Sequence, residues 1–150
     1  LKPFNCKILA YDILNFEGFY VENKVTPVGL DDLIKNSDVV TLHLPLDSST
    51  KNIMNQERLK MLKSNAVLIN LARGGLIDET ALKTILLENK ILGAALDVFA
   101  IEPPTDPTFS TMDNVLITPH IGGSTEEAIL AMGMAAIDGL ESAKDPLELF

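Results

Sequence analysis

The chain has 150 residues, 47% of them hydrophobic, and a formal net charge of −9. A domain of this size buries roughly 70% of the surface of its unfolded chain, so a single domain with a substantial core is expected. The negative charge argues against nucleic acid or an anionic membrane as a partner, because both attract basic surfaces. No apolar stretch approaches the roughly 20 residues that a membrane span needs. The single cysteine excludes an internal disulfide framework and favours a reducing compartment, which predicts a cytoplasmic protein.

Apolar segments alternate with helix-forming segments along the first half of the chain. An apolar run over residues 6–12 predicts a buried strand that ends in Asp12. Residues 13–24 are predicted to form a loop, and VTPV is predicted to be a short edge strand because its proline lacks a backbone N–H. A short helix is predicted over GLDDLIKNS. The next strand is predicted over residues 38–45, where a proline ends it.

The second half continues this alternation. Strands are predicted over AVLINLA, LGAALDVFA and NVLITP, with a proline-rich loop over residues 101–113. Helices are predicted to begin after Asn55, after Asp78, and after either Ser124 or Thr125, because these side chains can cap a helix N-terminus. Continuous apolar strands separated by helices are typical of a parallel sheet with both faces covered. The sequence therefore predicts a doubly wound α/β domain.

Arg73 follows a predicted strand at the edge of the sheet where ligands usually bind, outside the carboxyl ends of the strands. Gly74 and Gly75 come next, and glycines allow the backbone to turn sharply and approach a ligand closely. A guanidinium stays charged at any working pH and binds a carboxylate with two parallel hydrogen bonds. A loop arginine paired with a surface carboxylate is equally compatible with this pattern.

Four other polar residues also follow predicted strands. His120, in TPHIGGST, can exchange a proton near neutral pH, although a lone histidine is often structural. Glu102 lies in a loop that two prolines immobilise, and could orient a histidine or be an ordinary solvated glutamate. Asp12 could bind ribose hydroxyls or end a turn. His43 is expected to be packed, and the histidine spacing does not predict a metal site.

Three segments, NLARGGLIDETAL, LDVFAIEPP and LITPHIGGST, occur in this order. Together they resemble the D-isomer-specific 2-hydroxyacid dehydrogenases, and most closely the phosphoglycerate dehydrogenase branch. The resemblance covers nearly all of the chain, from ILAYD to the helix after GGST. It implies a Rossmann-type domain that binds NAD, in an enzyme that transfers a hydride between NAD and a small D-2-hydroxy acid or 2-oxo acid. The first candidate substrate is 3-phosphoglycerate.

The resemblance also assigns roles to individual residues. Arg73 would bind the carboxylate and carbonyl oxygen of the substrate, His120 would exchange the proton, and Glu102 would orient His120. Asp97 would bind the nicotinamide carboxamide. The cofactor-binding residues that the resemblance implies are Asp12, Leu44, Pro45, Leu71, Ala72, Arg73, Asp97, His120, Gly122 and Gly123. It further implies a homodimer of the full-length protein, with the helix after Thr125 as a candidate surface.

The family's glycine-rich phosphate loop, G-x-G-x-x-G, does not occur in this sequence. Residues 1–150 are therefore expected to be a single partial dinucleotide-binding domain, with that loop, the first strand and the substrate domain outside them. The first strand lies in the middle of a Rossmann sheet, so its two neighbours would each have an unpaired edge, and the halves would either close or stay apart. Such a chain is expected to be inactive alone. Two alternatives are an NAD-responsive corepressor-like binding module and an inactive remnant of the fold.

Overall fold

A computed structural model describes residues 4–141. Within these residues, strands and α-helices alternate as the sequence predicts. In chain order the elements are β1 (Ile8–Ala10), α1 (Glu17–Asn23), β2 (Val25–Pro27), α2 (Leu30–Asn36), β3 (Val39–Leu42), α3 (Gln56–Leu59), β4 (Val67–Asn70), α4 (Glu79–Leu87), β5 (Gly93–Leu96), a 3₁₀ helix (Pro107–Thr111), β6 (Val115–Ile117) and α5 (Glu126–Glu141).

The strands form two parallel sheets. β1 pairs with β2, and the second sheet has the order β3-β4-β5-β6 with every neighbouring pair parallel. The predicted parallel α/β architecture is therefore confirmed. Among residues 4–141, β1 and β3 do not pair with each other, so the two halves stay apart instead of closing into one sheet.

One face of the larger sheet carries the core. Val40 and Leu68 occupy matching positions on β3 and β4, and both are buried. They pack in one apolar cluster with side chains of α2, α3 and α4. On the opposite face Val39 is 55% exposed and Leu116 is 65% exposed. The prediction that both faces are covered is thus wrong for the described residues, because α5 does not pack there and leaves Met132 58% exposed.

The predicted helix caps are present. The side chain of Asn55 accepts a hydrogen bond from the Arg58 N–H at 3.0 Å, and that of Asp78 accepts one from the Ala81 N–H at 3.0 Å. At α5, Thr125 is the residue whose side chain caps the helix, through the Ala128 N–H at 3.1 Å. These caps satisfy N–H groups that a helix start leaves without an intrahelical partner.

The prediction of a loop over residues 13–24 is wrong, because α1 (Glu17–Asn23) lies there. Tyr20 is buried on this helix, and the ring of Phe16 packs edge-on against it with centroids 6.4 Å apart. Lys24 then ends the helix in a left-handed conformation. Glycine and aromatic residues are weak helix formers, so tertiary packing of Tyr20 decides the conformation of this segment rather than local propensity.

Candidate active site

Glu102 and His120 form a hydrogen-bonded pair. Nδ1 of His120 lies 2.7 Å from Oε2 of Glu102, and the other carboxylate oxygen accepts the Phe99 N–H at 2.9 Å. The hydrogen bond from His120, and then that from Phe99, hold the pKa of Glu102 below its usual value. An ionised carboxylate can only accept hydrogen bonds, so Nδ1 carries the proton and Nε2 is the nitrogen available to a ligand.

Asp97 holds the loop that presents His120. His120 has a left-handed backbone, with φ of 54°, which non-glycine residues seldom adopt. The buried carboxylate of Asp97 accepts hydrogen bonds from the Thr118 hydroxyl at 2.5 Å and from the Ile121 and Gly122 N–H groups at 2.8 Å each. Burial raises the pKa of Asp97, but these hydrogen bonds outweigh it and the pKa lies below its usual value. Both carboxylate oxygens already have partners, and the predicted contact of Asp97 with nicotinamide stays a prediction.

The loop that carries Arg73 is closed by Asn70, a residue that the sequence analysis missed. Asn70 is buried at the end of β4, donates to the Arg73 carbonyl at 2.9 Å and accepts the Ala72 N–H at 3.1 Å. Its sequence signal was an asparagine that ends an apolar strand directly before a turn. Gly75 has a φ of 80°, a conformation that favours glycine.

The Arg73 side chain has no carboxylate partner among residues 4–141; its Nη1 donates to the Ala72 carbonyl at 2.6 Å. The alternative of a surface ion pair therefore has no support in the described part of the chain. The side chain likewise has no hydrogen bond with Glu102 or His120 there. The Arg73 loop approaches the Glu102 loop through its backbone: a Cβ at Gly74 would lie 2.6 Å from the Ala100 nitrogen and closer still to the Phe99 carbonyl.

The predicted adenosine-side residues lie at a groove between β1 and β3. Asp12 and Leu44 line this groove, whose volume is about 200 Å³. Asp12 also accepts the Leu14 N–H at 2.8 Å. His43 shares the groove, and its Nε2 lies 3.1 Å from the Thr41 hydroxyl, in agreement with a packed side chain.

The remaining predicted cofactor residues follow the strands without converging on one contact. Pro45 comes after β3, and its carbonyl accepts the Thr50 hydroxyl at 2.7 Å. Leu71 is half-exposed, and Ala72 packs against the core cluster. Gly123 has open space around the position of a Cβ.

Cavity size alone does not locate the site. A cavity of about 400 Å³ opens beside Glu102 and His120 and is lined mainly by apolar groups, including Phe99 and Ile117. A larger cavity of about 530 Å³ lies between α3 and α4, and none of the predicted site residues lines it. In residues 4–141 no cluster of three or more His, Cys, Asp or Glu side chains is placed to hold a metal ion. No helix in that part of the chain combines the length and hydropathy needed to cross a bilayer.

A pair of polar loops at the carboxyl ends of parallel strands is the arrangement of a nucleotide-dependent enzyme domain. The chain belongs to the D-isomer specific 2-hydroxyacid dehydrogenases: the sequence model of their NAD binding domain matches residues 1–122. This confirms the resemblance and the expected NAD-binding character of the domain.

The relatives of this chain are longer proteins. The chain is 44% identical over 139 residues to the D-3-phosphoglycerate dehydrogenase of Methanocaldococcus jannaschii, covering 88% of this chain and 25% of that enzyme. It is 43% identical over 138 residues to the hydroxypyruvate reductase of Thermotoga maritima, covering 90% of this chain and 44% of that enzyme. The structure of D-lactate dehydrogenase with NAD+ from Lactobacillus jensenii matches with a TM-score of 0.83 and 31% identity, over 91% of this chain and 45% of that one. The chain thus spans less than half the length of these relatives, and its fold is that of their cofactor domain.

Proposed function

We propose that this chain is the NAD-binding part, with the catalytic residues, of an enzyme that transfers a hydride between NAD and a small D-2-hydroxy acid or 2-oxo acid. The observation that carries this proposal is the 2.7 Å contact between His120 Nδ1 and Glu102 Oε2. The pair lies at the carboxyl ends of β5 and β6, the edge at which ligands bind in such sheets. Bound NAD would supply the hydride chemistry, and the chain's residues would supply substrate binding and proton transfer.

Arg73 is proposed to bind the substrate carboxylate. Its guanidinium has no carboxylate partner among the described residues, and its planar fork matches a carboxylate. The chain is negatively charged overall, with a formal net charge of −9, so an anionic substrate needs a local cation at its site. Gly74 and Gly75 give this loop the turn that places the cation beyond the end of β4.

His120 is proposed to transfer the proton at the substrate oxygen. During oxidation the C2–H bond of the hydroxy acid breaks as a hydride leaves, and Nε2 of His120 accepts the hydroxyl proton as the carbonyl forms. During reduction the imidazolium returns that proton to the oxygen that gains charge. Glu102 holds Nδ1 in both directions, stabilises the imidazolium and keeps Nε2 directed away from the pair.

The groove between β1 and β3 fits the adenosine end of the cofactor. Asp12 lies at the end of β1 and lines the groove; a carboxylate there can accept hydrogen bonds from two ribose hydroxyls and repels a 2′-phosphate. We propose that NAD is therefore preferred over NADP. We also propose that a strand and a glycine-rich loop outside these residues complete the domain, because β1 and β3 each leave an edge without a strand partner in the described chain.

3-Phosphoglycerate is the first substrate proposed, ahead of hydroxypyruvate and glyoxylate. The relatives named for these acids are nearly equally similar, at 44% and 43% identity, so identity does not choose between them. A homodimer in the cytoplasm completes the proposal. The exposed apolar side chains of α5, such as Ile129 and Met132, support a further protein surface against this helix.

The test is a chimera in which residues 6–140 replace the matching segment of the Thermotoga hydroxypyruvate reductase. We expect NADH-dependent reduction of hydroxypyruvate, or NAD-dependent oxidation of 3-phosphoglycerate. His120→Asn in the chimera should lower kcat by about a hundredfold or more, with NADH binding retained, because general acid–base catalysis contributes roughly 10²–10⁴-fold. A folded chimera that binds NADH but turns over none of these acids would favour a binding module instead. Unchanged turnover in the His120→Asn chimera would refute the proton-transfer role.

A further inference from the structure

One peptide unit, between Phe99 and Ala100, contacts both loops of the candidate site. The Phe99 N–H donates to Glu102 at 2.9 Å, and Glu102 in turn holds His120. From the other side, the backbone of Gly74 lies against this peptide so closely that a Cβ would overlap the Phe99 carbonyl. The position of this peptide therefore sets the separation between the Arg73 loop and the Glu102–His120 pair.

Glu79, at the start of α4, holds the same peptide. Its Oε1 accepts the Ala100 N–H at 2.6 Å, across 21 residues of sequence. Two consecutive backbone N–H groups, of Phe99 and Ala100, thus each donate to a carboxylate. One carboxylate belongs to the candidate site and the other to a helix whose apolar face is in the core. Glu79 was absent from the residues predicted from sequence.

We propose that Glu79 is a positioning residue for the Glu102–His120 pair: by accepting the Ala100 N–H, it anchors the site peptide to α4. The proposal rests on the function proposed above for that pair. Without this acceptor, the Ala100 N–H loses its side-chain partner and the Phe99–Ala100 peptide is free to rotate. Rotation of that peptide turns the Phe99 N–H away from Glu102, which then no longer holds the His120 ring in one orientation.

The charge of Glu79 is maintained at a cost. Partial burial raises the pKa of Glu79 above its usual value, the charge of Glu102 raises it further, and the hydrogen bond from Ala100 opposes both. A neutral glutamine would keep the acceptor oxygen without this cost. Glutamine is accordingly the conservative variant that separates the hydrogen bond from the charge.

The same helix offers a matched control. Lys83 lies one turn after Glu79 and forms an ion pair with Asp106 at 2.5 Å, which anchors the far end of the same loop. Lys83→Met removes that second anchor and leaves the contacts of Phe99 and Ala100 in place. An effect specific to the site peptide should appear in Glu79→Ala and be missing from Lys83→Met.

The experiment is imidazole ¹⁵N NMR on this chain, which has only two histidines, so that His43 serves as an internal reference. Glu102→Gln defines the Nδ1 signal of His120 when the charged pair is broken. We expect Glu79→Ala to shift that signal more than halfway toward the Glu102→Gln value, and Glu79→Gln and Lys83→Met to keep it near wild type. Backbone amide spectra confirm that each variant is folded.

A folded Glu79→Ala variant with a wild-type His120 signal would overturn the proposal, as would an equal shift in Lys83→Met. In the chimera described above, Glu79→Ala should lower kcat at least tenfold with little change in the KM for NADH, and Glu79→Gln should restore it. The NMR readout needs no turnover, so failure of the positioning role is distinguishable from failure of the proposed enzyme activity.

Discussion

Replacement of Gly74 by alanine tests the contact that brings the two loops of the candidate site together. A Cβ at this position would lie 1.9 Å from the Phe99 carbonyl oxygen, 2.1 Å from its carbon and 2.6 Å from the Ala100 nitrogen. Side-chain carbons do not approach backbone atoms within about 3 Å, so the two backbones must separate by about 1 Å. Neither backbone is a flexible side chain that could move aside at little cost.

The expected loss of stability follows from this overlap. Overpacking of a well-packed region costs roughly 1–3 kcal/mol. For a domain of this size, about 2 kcal/mol corresponds to a decrease in Tm of roughly 4–8 °C. Gly18→Ala is the matched control, because a Cβ there meets no atom within 4 Å. Gly18 lies inside α1, where alanine is favoured over glycine by roughly 0.5–1 kcal/mol, so the control should be as stable as wild type or more so.

Urea unfolding and thermal melts of the two variants, followed by circular dichroism, measure this difference. In the chimera, a displacement of about 1 Å between the Arg73 loop and the Glu102 loop should also lower kcat/KM by about a hundredfold. If Gly74→Ala proved as stable as Gly18→Ala, the close contact between Gly74 and the Phe99–Ala100 peptide would be refuted. The geometric basis of the proposed site would then be lost.

Three other predictions address the charged groups. Arg73→Lys in the chimera should raise the KM for the 2-oxo acid by about tenfold or more, because lysine keeps the charge but loses the two-pronged hydrogen bond; an unchanged kcat/KM would exclude this role. His120→Ala should raise the pKa of Glu102 toward its usual value, measured by side-chain ¹³C NMR. The stabilisation from the pair is present above the ordinary carboxyl pKa of about 4.3 and is lost as the pH falls through the lowered pKa, so wild type and His120→Ala should converge in stability at acid pH, and a constant difference would contradict the pair. Asp12→Ser in the chimera should weaken NADH binding and narrow its preference over NADPH, as measured by fluorescence titration; unaltered affinities for both would show that Asp12 does not contact the ribose.

Local sequence signals predicted the elements that depend on local chemistry. The caps at Asn55 and Asp78 were predictable because a short polar side chain directly before an apolar periodic segment satisfies the first N–H groups of a helix. The pairing of Glu102 with His120 was expected from the family resemblance, and the structure brings the two side chains together. Helix α1 was missed because its stability comes from the burial of Tyr20, which no local pattern encodes.

The sequence by itself determined the class of fold, the family and the residues that bear the chemistry, because strand hydrophobicity, turn residues and linked motifs are properties of neighbouring positions. Only the tertiary structure decided how those residues are held. It showed that Asp97 is buried beneath the His120 loop, that Asn70 closes the Arg73 loop, and that Glu79 reaches a peptide 21 residues away. It also left β1 and β3 in separate sheets within the described residues. These contacts depend on how helices pack on a sheet and on which backbone N–H groups remain to be satisfied there, and both are set by the whole chain instead of by any one segment.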